Sequence, residues 1–235
     1  MLILALALLV LTALGFLVWY AVAAPGSQLL GRTLVSGVNL SSSRPAIALT
    51  FDDGPGEDTE QILAVLKEAQ VHATFFLCGA NVERDPGMAR RIADEGHEIG
   101  NHTYSHPCLL GRTPGKILWE IDRAQKVITH HTGRKPELFR PPYGLRWFGL
   151  FPIVAQQQMR AVMWSVNGRD WKTDSEQITQ RVLRQAHPGA IILLHDGLPP
   201  GEKGNRKATV DALPVILSLL GRTYRFVTIS ELSPQ

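Results

Sequence analysis

The chain has 235 residues, 45% of them hydrophobic, and a formal net charge of +3. With the apolar N-terminal stretch set aside, roughly 190 residues remain, enough for one domain with a full core. The Lys and Arg residues are scattered and form no run, which argues against a nucleic-acid partner. The two cysteines, Cys78 and Cys108, have neither CxxC nor zinc-finger spacing, so a cysteine-built metal site is not expected and two free thiols are.

Residues 2–24 carry no charged side chain. An apolar run of about 20 residues spans a bilayer core, and Trp19 and Tyr20 lie near its end, where interfacial aromatics belong. Ala21-Val22-Ala23 resembles a cleavage site, so a removed signal peptide is the competing reading. The run is longer than a usual signal core and no Lys or Arg precedes it, so residues 1–24 are expected to be an uncleaved transmembrane anchor. The first positive side chain, Arg32, lies beyond the run and does not set the orientation. Residues 25–44 are rich in Gly and Ser and read as a tether.

From residue 45 onward short β-type runs alternate with helical patterns. Strands are expected at 46–51, 73–77, 98–100, 138–140, 161–165, 190–194 and 225–228. Helices are expected at 59–70, 86–95, 114–130, 151–158, 175–186 and 209–220, the third opened by Thr113 as N-cap and Pro114 at its first position. Regular alternation predicts an α/β fold, a parallel sheet or barrel with helices outside, over residues 45–235. Seven strands favour a (β/α)7 barrel, with an open doubly wound sheet as the alternative. Asp52, His102, Arg140, Asp170 and His195 each fall at or just after a strand end. In a (β/α) barrel those ends share the face that carries active sites.

The residue types are those of a metal hydrolase. Asp52-Asp53 puts two carboxylates side by side at a strand end, which is costly unless a cation neutralises one. Successive residues of extended chain point opposite ways, so the pair divides its duties. His102 and His106 sit at i, i+4 in a loop before Pro107. Together with an Asp they would leave an open coordination position, the mark of a catalytic zinc. Arg140 precedes Pro141-Pro142-Tyr143-Gly144, whose prolines stiffen the loop and leave the Tyr143 N–H as a fixed donor. His195-Asp196 closes an apolar strand, and a strand-end His paired with its neighbour is the bland reading there. The segment 145–149, with Arg146-Trp147-Phe148, reads either as a substrate-facing lip or as helix-start packing. His72, His97, His130, His131 and His187 have no matching partners and are expected to be structural or exposed.

Taken in order, the clusters Thr50–Pro55, His102–Pro107, Arg140–Gly144, Asp170-Trp171 and Leu193–Asp196 resemble the polysaccharide deacetylases of the NodB homology type, carbohydrate esterase family 4. The resemblance runs from residue 45 to about 232 and implies a distorted (β/α)7 barrel and metal-dependent deacetylation of N-acetylglucosamine-type glycans. It implies Asp52 as general base oriented by Arg140, and Asp53, His102 and His106 as metal ligands. It also implies the Tyr143 N–H as oxyanion donor, His195 as general acid tuned by Asp170, and Trp171 and Leu193 as acetyl-pocket walls. The divalent metal implied is zinc first, with Co2+, Ni2+ or Mn2+ admitted by the ligand set. One departure stands out: the usual leading Asp of the fourth cluster is Asn167. An O-acetyl esterase on a polysaccharide such as xylan shares every one of these residues, and an inactive membrane-tethered glycan-binding module is the remaining alternative. The expected partners are an N-acetylated glycan and the membrane, with the catalytic domain outside the cytoplasm. The sequence names neither the glycan nor the oligomeric state.

Overall fold

The computed structural model describes residues 2–37 and 44–233. Its first element, α1 (Leu2–Ala23), is 22 residues long with mean hydropathy 2.8 in its most apolar window, long and apolar enough to cross a bilayer. Strands β2 (Ala46–Asp52), β3 (Thr74–Leu77), β4 (Glu98–Asn101) and β5 (Leu138–Phe139) follow in the soluble part. After them come β6 (Arg160–Val162), β7 (Val166–Asn167), β8 (Ile191–His195) and β9 (Arg225–Phe226). The helices are α2 (Thr59–Glu68), α3 (Gly79–Arg84), α4 (Pro86–Asp94), α5 (Pro114–Thr132), α6 (Leu150–Gln156), α7 (Ser175–Gln185), α8 (Lys207–Leu220) and α9 (Ile229–Leu232).

The segment expected to be a tether is docked where it is described. Its Thr33–Leu34 form strand β1, which pairs in parallel with β6, and Ser36 bridges to Ala190. Gly and Ser composition signals flexibility only when the backbone finds no partner. Here the edge of β6 supplies one. Residues 38–43 of that tether lie outside the described residues.

The sheet runs β1-β6-β5-β4-β3-β2-β8-β7, with β9 added to the start of β2, and every one of these pairs is parallel. It is a curled half-barrel wrapped by helices. β6 and β7 are one stretch of chain: residues 160–162 pair with β5 and β1, and 166–167 pair with β8. The run expected as one strand at 161–165 is broken in the middle, where Arg140 reaches its carbonyls. At the break Arg140 Nε donates to the Val162 oxygen at 3.4 Å and Nη2 to the Met163 oxygen at 3.0 Å, and the chain changes partner, the Met163 N–H donating to the Leu34 oxygen and the Ser165 N–H to that of Ile191.

Alternation along β2 sorts two cores. Ile47, Leu49 and Phe51 join Ile62, Leu63 and Leu66 of α2 and Leu213 and Ile216 of α8 in the layer between sheet and helices. Ala48 belongs with Phe76, Leu138, Val162 and Ile191 inside the curl, plugged at the strand-start end by Val227, Ile229 and Leu232. Thr50 and Asp52 continue that inner face, so Asp52 reaches the open end. Helix α5 begins as its sequence dictates: Pro114 stands at its first turn, Thr113 accepts from the Lys116 N–H at 3.4 Å, and Gly133 closes it at φ 69°.

Candidate active site

Asp52 and His195 end neighbouring strands and stand in register, so their side chains share the open end of the curl. Arg140, fully buried, lies beneath them. Its Nη1 donates to Asp52 Oδ1 and to Thr50 Oγ1, both at 2.7 Å, and its guanidinium stacks 4.1 Å from the centroid of the Phe76 ring. Burial lowers the Arg140 pKa while Asp52 opposes the fall. One Asp52 oxygen is thus held by a charge-assisted bond, and the other, Oδ2, lies 3.8 Å from His102 Nε2.

Asp53 departs from extended geometry. At φ 71° it lies in the left-handed region, so the turn, not strand alternation, separates its carboxylate from that of Asp52. Its Oδ1 faces His102 Nε2 at 3.4 Å and His106 Nε2 at 3.2 Å. The His pair is brought together without a helix. Asn101 accepts from the Thr103 N–H, Thr103 accepts from the His106 N–H, and both Thr103 and His106 have positive φ. Glu120 takes the N–H groups of Tyr104 and Ser105 between them. Of the seven described non-glycine residues with positive φ, five (Asp53, Thr103, His106, Tyr143, Arg169) lie on the loops of this end. Strain of order 1–3 kcal/mol per residue is stored where side chains must be aimed.

His102 Nδ1 lies 2.7 Å from the Arg140 carbonyl, which only accepts, so Nδ1 carries a proton and Nε2 is the ring atom turned toward Asp53. Burial would raise the Asp53 pKa, but His102 and His195 beside it hold it well below the usual carboxylate range. Burial, then His102, push His106 down to about 4, so it is a neutral imidazole at pH 7. Asp53 Oδ1 has no hydrogen-bond partner although it is buried. An ionised carboxylate oxygen and two imidazole nitrogens, all within 4.8 Å of one another, fit a divalent cation.

His195 pairs with Asp170, not with its neighbour Asp196. Asp170 Oδ1 lies 2.8 Å from His195 Nδ1, and Oδ2 accepts from the His195 backbone N–H at 2.7 Å and the Thr209 hydroxyl at 2.8 Å. Burial would lower the His195 pKa, but Asp170, with Asp53 and Asp52, raises it to about 9. Burial likewise opposes ionisation of Asp170, and His195 and Thr209 keep its carboxyl below the ordinary value. Asp196 turns away to the Thr59 hydroxyl at 2.6 Å, and burial raises its pKa to about 7. A Cβ at Gly54 would lie 2.2 Å from Asp196 Oδ2, so that turn accepts only glycine.

These groups line one cavity of about 420 Å³. Tyr143, its ring 4.7 Å from His106, stands at the mouth with Trp171, whose ring meets His195 edge-on at 5.2 Å, and Leu193 forms part of the wall. All ten residues singled out from the sequence are therefore here: eight line the cavity, Asp170 and Arg140 each bond one of those eight, and Arg140 does so from below. Sequence reading missed Trp164, Glu202 and Arg206, which also line it, because a lone Trp, Glu or Arg carries no motif signal. Asn167 lines it too, and its Oδ1 accepts the Arg169 N–H at 2.9 Å, preserving the turn that leads to Asp170.

The sequence profile described as "Polysaccharide deacetylase" matches residues 39–162. The chain belongs to the polysaccharide deacetylase family. This deacetylase is 40% identical over 193 residues to the peptidoglycan-N-acetylglucosamine deacetylase of Bacillus cereus, a match covering 81% of this chain and 69% of that one. It is 36% identical over 196 residues to the chitooligosaccharide deacetylase of Azorhizobium caulinodans, covering 80% and 93%. Among solved structures, a peptidoglycan N-acetylglucosamine deacetylase superposes with TM-score 0.79 at 38% identity, covering 86% and 92%. A Bacillus anthracis protein described as a pseudoenzyme of carbohydrate esterase family 4 superposes with TM-score 0.76 at 31% identity, covering 86% and 68%. The fold alone therefore does not bring catalysis.

Proposed function

We propose that this enzyme removes N-acetyl groups from N-acetylglucosamine-type glycans and releases acetate, in a divalent-metal-dependent reaction, from a membrane-anchored domain outside the cytoplasm. The observation that carries the reading is the pairing of Asp52, bonded to Arg140, with His195, bonded to Asp170, across one cavity. A cation held by Asp53, His102 and His106, zinc in the first place and Co2+, Ni2+ or Mn2+ otherwise, would polarise the amide carbonyl and lower the pKa of the attacking water.

The chain's own residues do the rest. Asp52, its Oδ1 held by Arg140, keeps Oδ2 free to take the proton from water as it attacks the acetyl carbon. The Tyr143 N–H is the donor assigned to the developing oxyanion. His195, kept protonated near neutral pH by Asp170, gives its proton to the leaving amine. Base and acid each supply about 10²–10⁴-fold. Leu193 and Trp171 wall the acetyl methyl and exclude water from it.

Peptidoglycan and chitooligosaccharides are the glycan classes named for the relatives and are the first to try. The test is acetate release from both by the full chain in detergent, with zinc and with chelator, beside Asp52→Asn. Metal-dependent release lost in the variant supports the reading. Release only from O-acetylated xylan would replace it with an esterase, and no release from a folded, metal-binding protein would replace it with a glycan-binding module.

A further inference from the structure

One fully buried cation plays no part in this chemistry. Arg146 is 0% exposed, and the bonds of its guanidinium go to the Val22 carbonyl in the last turn of α1 and to the carbonyls of Ala24, Pro25 and Ser27 just after it. Its Nε donates to the Val22 oxygen at 3.3 Å, Nη1 to Ser27 at 3.0 Å and Pro25 at 3.4 Å, and Nη2 to Ala24. The Arg146 backbone N–H adds a second bond to Val22, at 3.0 Å. The last carbonyls of a helix have no partners within it, and a cation there meets the negative end of the helix dipole. Arg146 therefore caps α1 from within the catalytic domain.

The place of this cap sets a direction. Arg146 stands between the end of β5 and the start of α6, on the face where the strands end and the cavity opens. Residues 2–20 of α1 are exposed and Val22 is buried, so the helix meets the domain only at its last turn and leaves from the rim of that face. The neighbouring loops of the rim expose apolar groups: Phe148 at 65% before α6, Leu110 in the loop before α5, and Trp119 on the second turn of α5. Pro114 lies against the Gly149 backbone, which joins the two loops into one edge, and Arg112 and Lys116 border Trp119 there. Trp19 and Tyr20, which mark interfacial depth, are about one helical turn from the capped carbonyls, roughly 5 Å. Basic residues beside exposed aromatics suit a layer of lipid headgroups over the outer acyl chains.

We propose that this edge is a lipid-docking surface. Arg146 locks the domain to α1, and Phe148 and Leu110 enter the interface of the bilayer from which α1 emerges. Arg112 and Lys116 meet lipid phosphates, and the cavity reaches glycan lying against that bilayer. The proposal rests on α1 being a membrane span. It also assigns the segment 145–149 neither to a substrate lip nor to plain packing: Trp147 joins the core beside α6, Arg146 caps α1, and Phe148 faces lipid.

The test places an environment-sensitive fluorophore on Phe148→Cys in the full chain, with Cys108→Ser and buried Cys78 left in place, in phosphatidylcholine–phosphatidylglycerol vesicles. Arg222→Cys, exposed at the opposite ends of the strands, is the reference. At least a threefold stronger quenching at 148 than at 222 by lipids carrying a shallow nitroxide is expected. Adding Arg146→Ala should abolish that difference while α1 stays resistant to alkali extraction. Equal quenching with α1 retained overturns the proposal and spares the span. Extraction of α1 by alkali overturns both. A label at 148 shielded in proportion to protein density, without lipid quenching, overturns it in favour of a second copy on this edge. Should Arg146→Ala fail to fold, the comparison of 148 with 222 in the Arg146-containing protein still decides.

Discussion

Asp170→Asn tests the acid half of the site. Asp170 holds His195 at Nδ1 and at its backbone N–H, at 2.8 and 2.7 Å, and is the first of the influences that raise the imidazole to about 9. Asparagine keeps an acceptor and the bond to Thr209 but removes the charge. Burial, the largest influence on His195, then acts with less opposition and brings the pKa to the ordinary 6.5 or below, a change of about 3 kcal/mol. For a group that must give a proton, the fraction protonated at pH 8 falls from about 90% to about 3%. At pH 5.5 it falls only from nearly all to about 90%. The ratio of parent to variant kcat should therefore grow roughly 30-fold between pH 5.5 and pH 8. A cation at Asp53 lowers His195 in both proteins alike, so the readout is the difference between their profiles. Acetate release across that range measures it. Profiles that stay parallel, however low the variant's rate, would refute the reasoning and leave Asp170 with orientation alone.

Three further outcomes are expected. His97 is pushed down to about 4 by burial and by His72, and its Nδ1 accepts the Ala73 N–H at 3.2 Å. Its folded pKa is depressed, so its neutral form is accommodated above pH 6.5 and stability is lost as pH falls toward 4. That amounts to about 2 kcal/mol between pH 7.5 and pH 5, and His97→Gln should flatten that part of the urea-midpoint profile. Zinc added to chelator-stripped protein should raise the thermal midpoint, by about 4 kcal/mol of stability at 1,000 times Kd. Asp53→Asn should remove that rise, and a rise of equal size in the variant would place the ion elsewhere. Phe51, 0% exposed and stacked on Phe75 at 5.0 Å, lies between sheet and helices. Phe51→Ala should cost about 3–5 kcal/mol by urea denaturation, and a loss under about 1 kcal/mol would contradict the packing described.

Much of this molecule was legible in the chain because periodicity survives folding. Each β/α pair from Ala46 to Leu220 was visible, since apolar alternation and amphipathic spacing are local properties. The one short helix missed in that stretch, α3, has six residues and begins directly at the end of the Cys78 turn, too brief for a pattern. The two-piece β6–β7 was not legible either, because the break is a change of partner from β1 and β5 to β8, strands distant in the chain. His102 and His106 were expected in a loop and lie in one; what the spacing did not show is the left-handed backbone at Thr103 and His106 that brings the pair together.

The sequence by itself determined the class of fold, the apolar N-terminal helix and the identity of the polar clusters, since these depend on residue type and on spacing within a dozen residues. Which carboxylate serves which partner was implied by the family resemblance, not by the residues themselves, and the contacts come from the tertiary structure. Asp52 goes to Arg140, Asp53 to the two imidazoles and Asp170 to His195, while Asp196 goes to Thr59 and away from the cavity. It alone turned the supposed tether into a strand and Arg146 into the cap of α1. Such pairings are set by strand register and by desolvation. A carboxylate's protonation and a carbonyl's partner depend on what the fold brings within about 3 Å, across separations that leave no trace in local pattern.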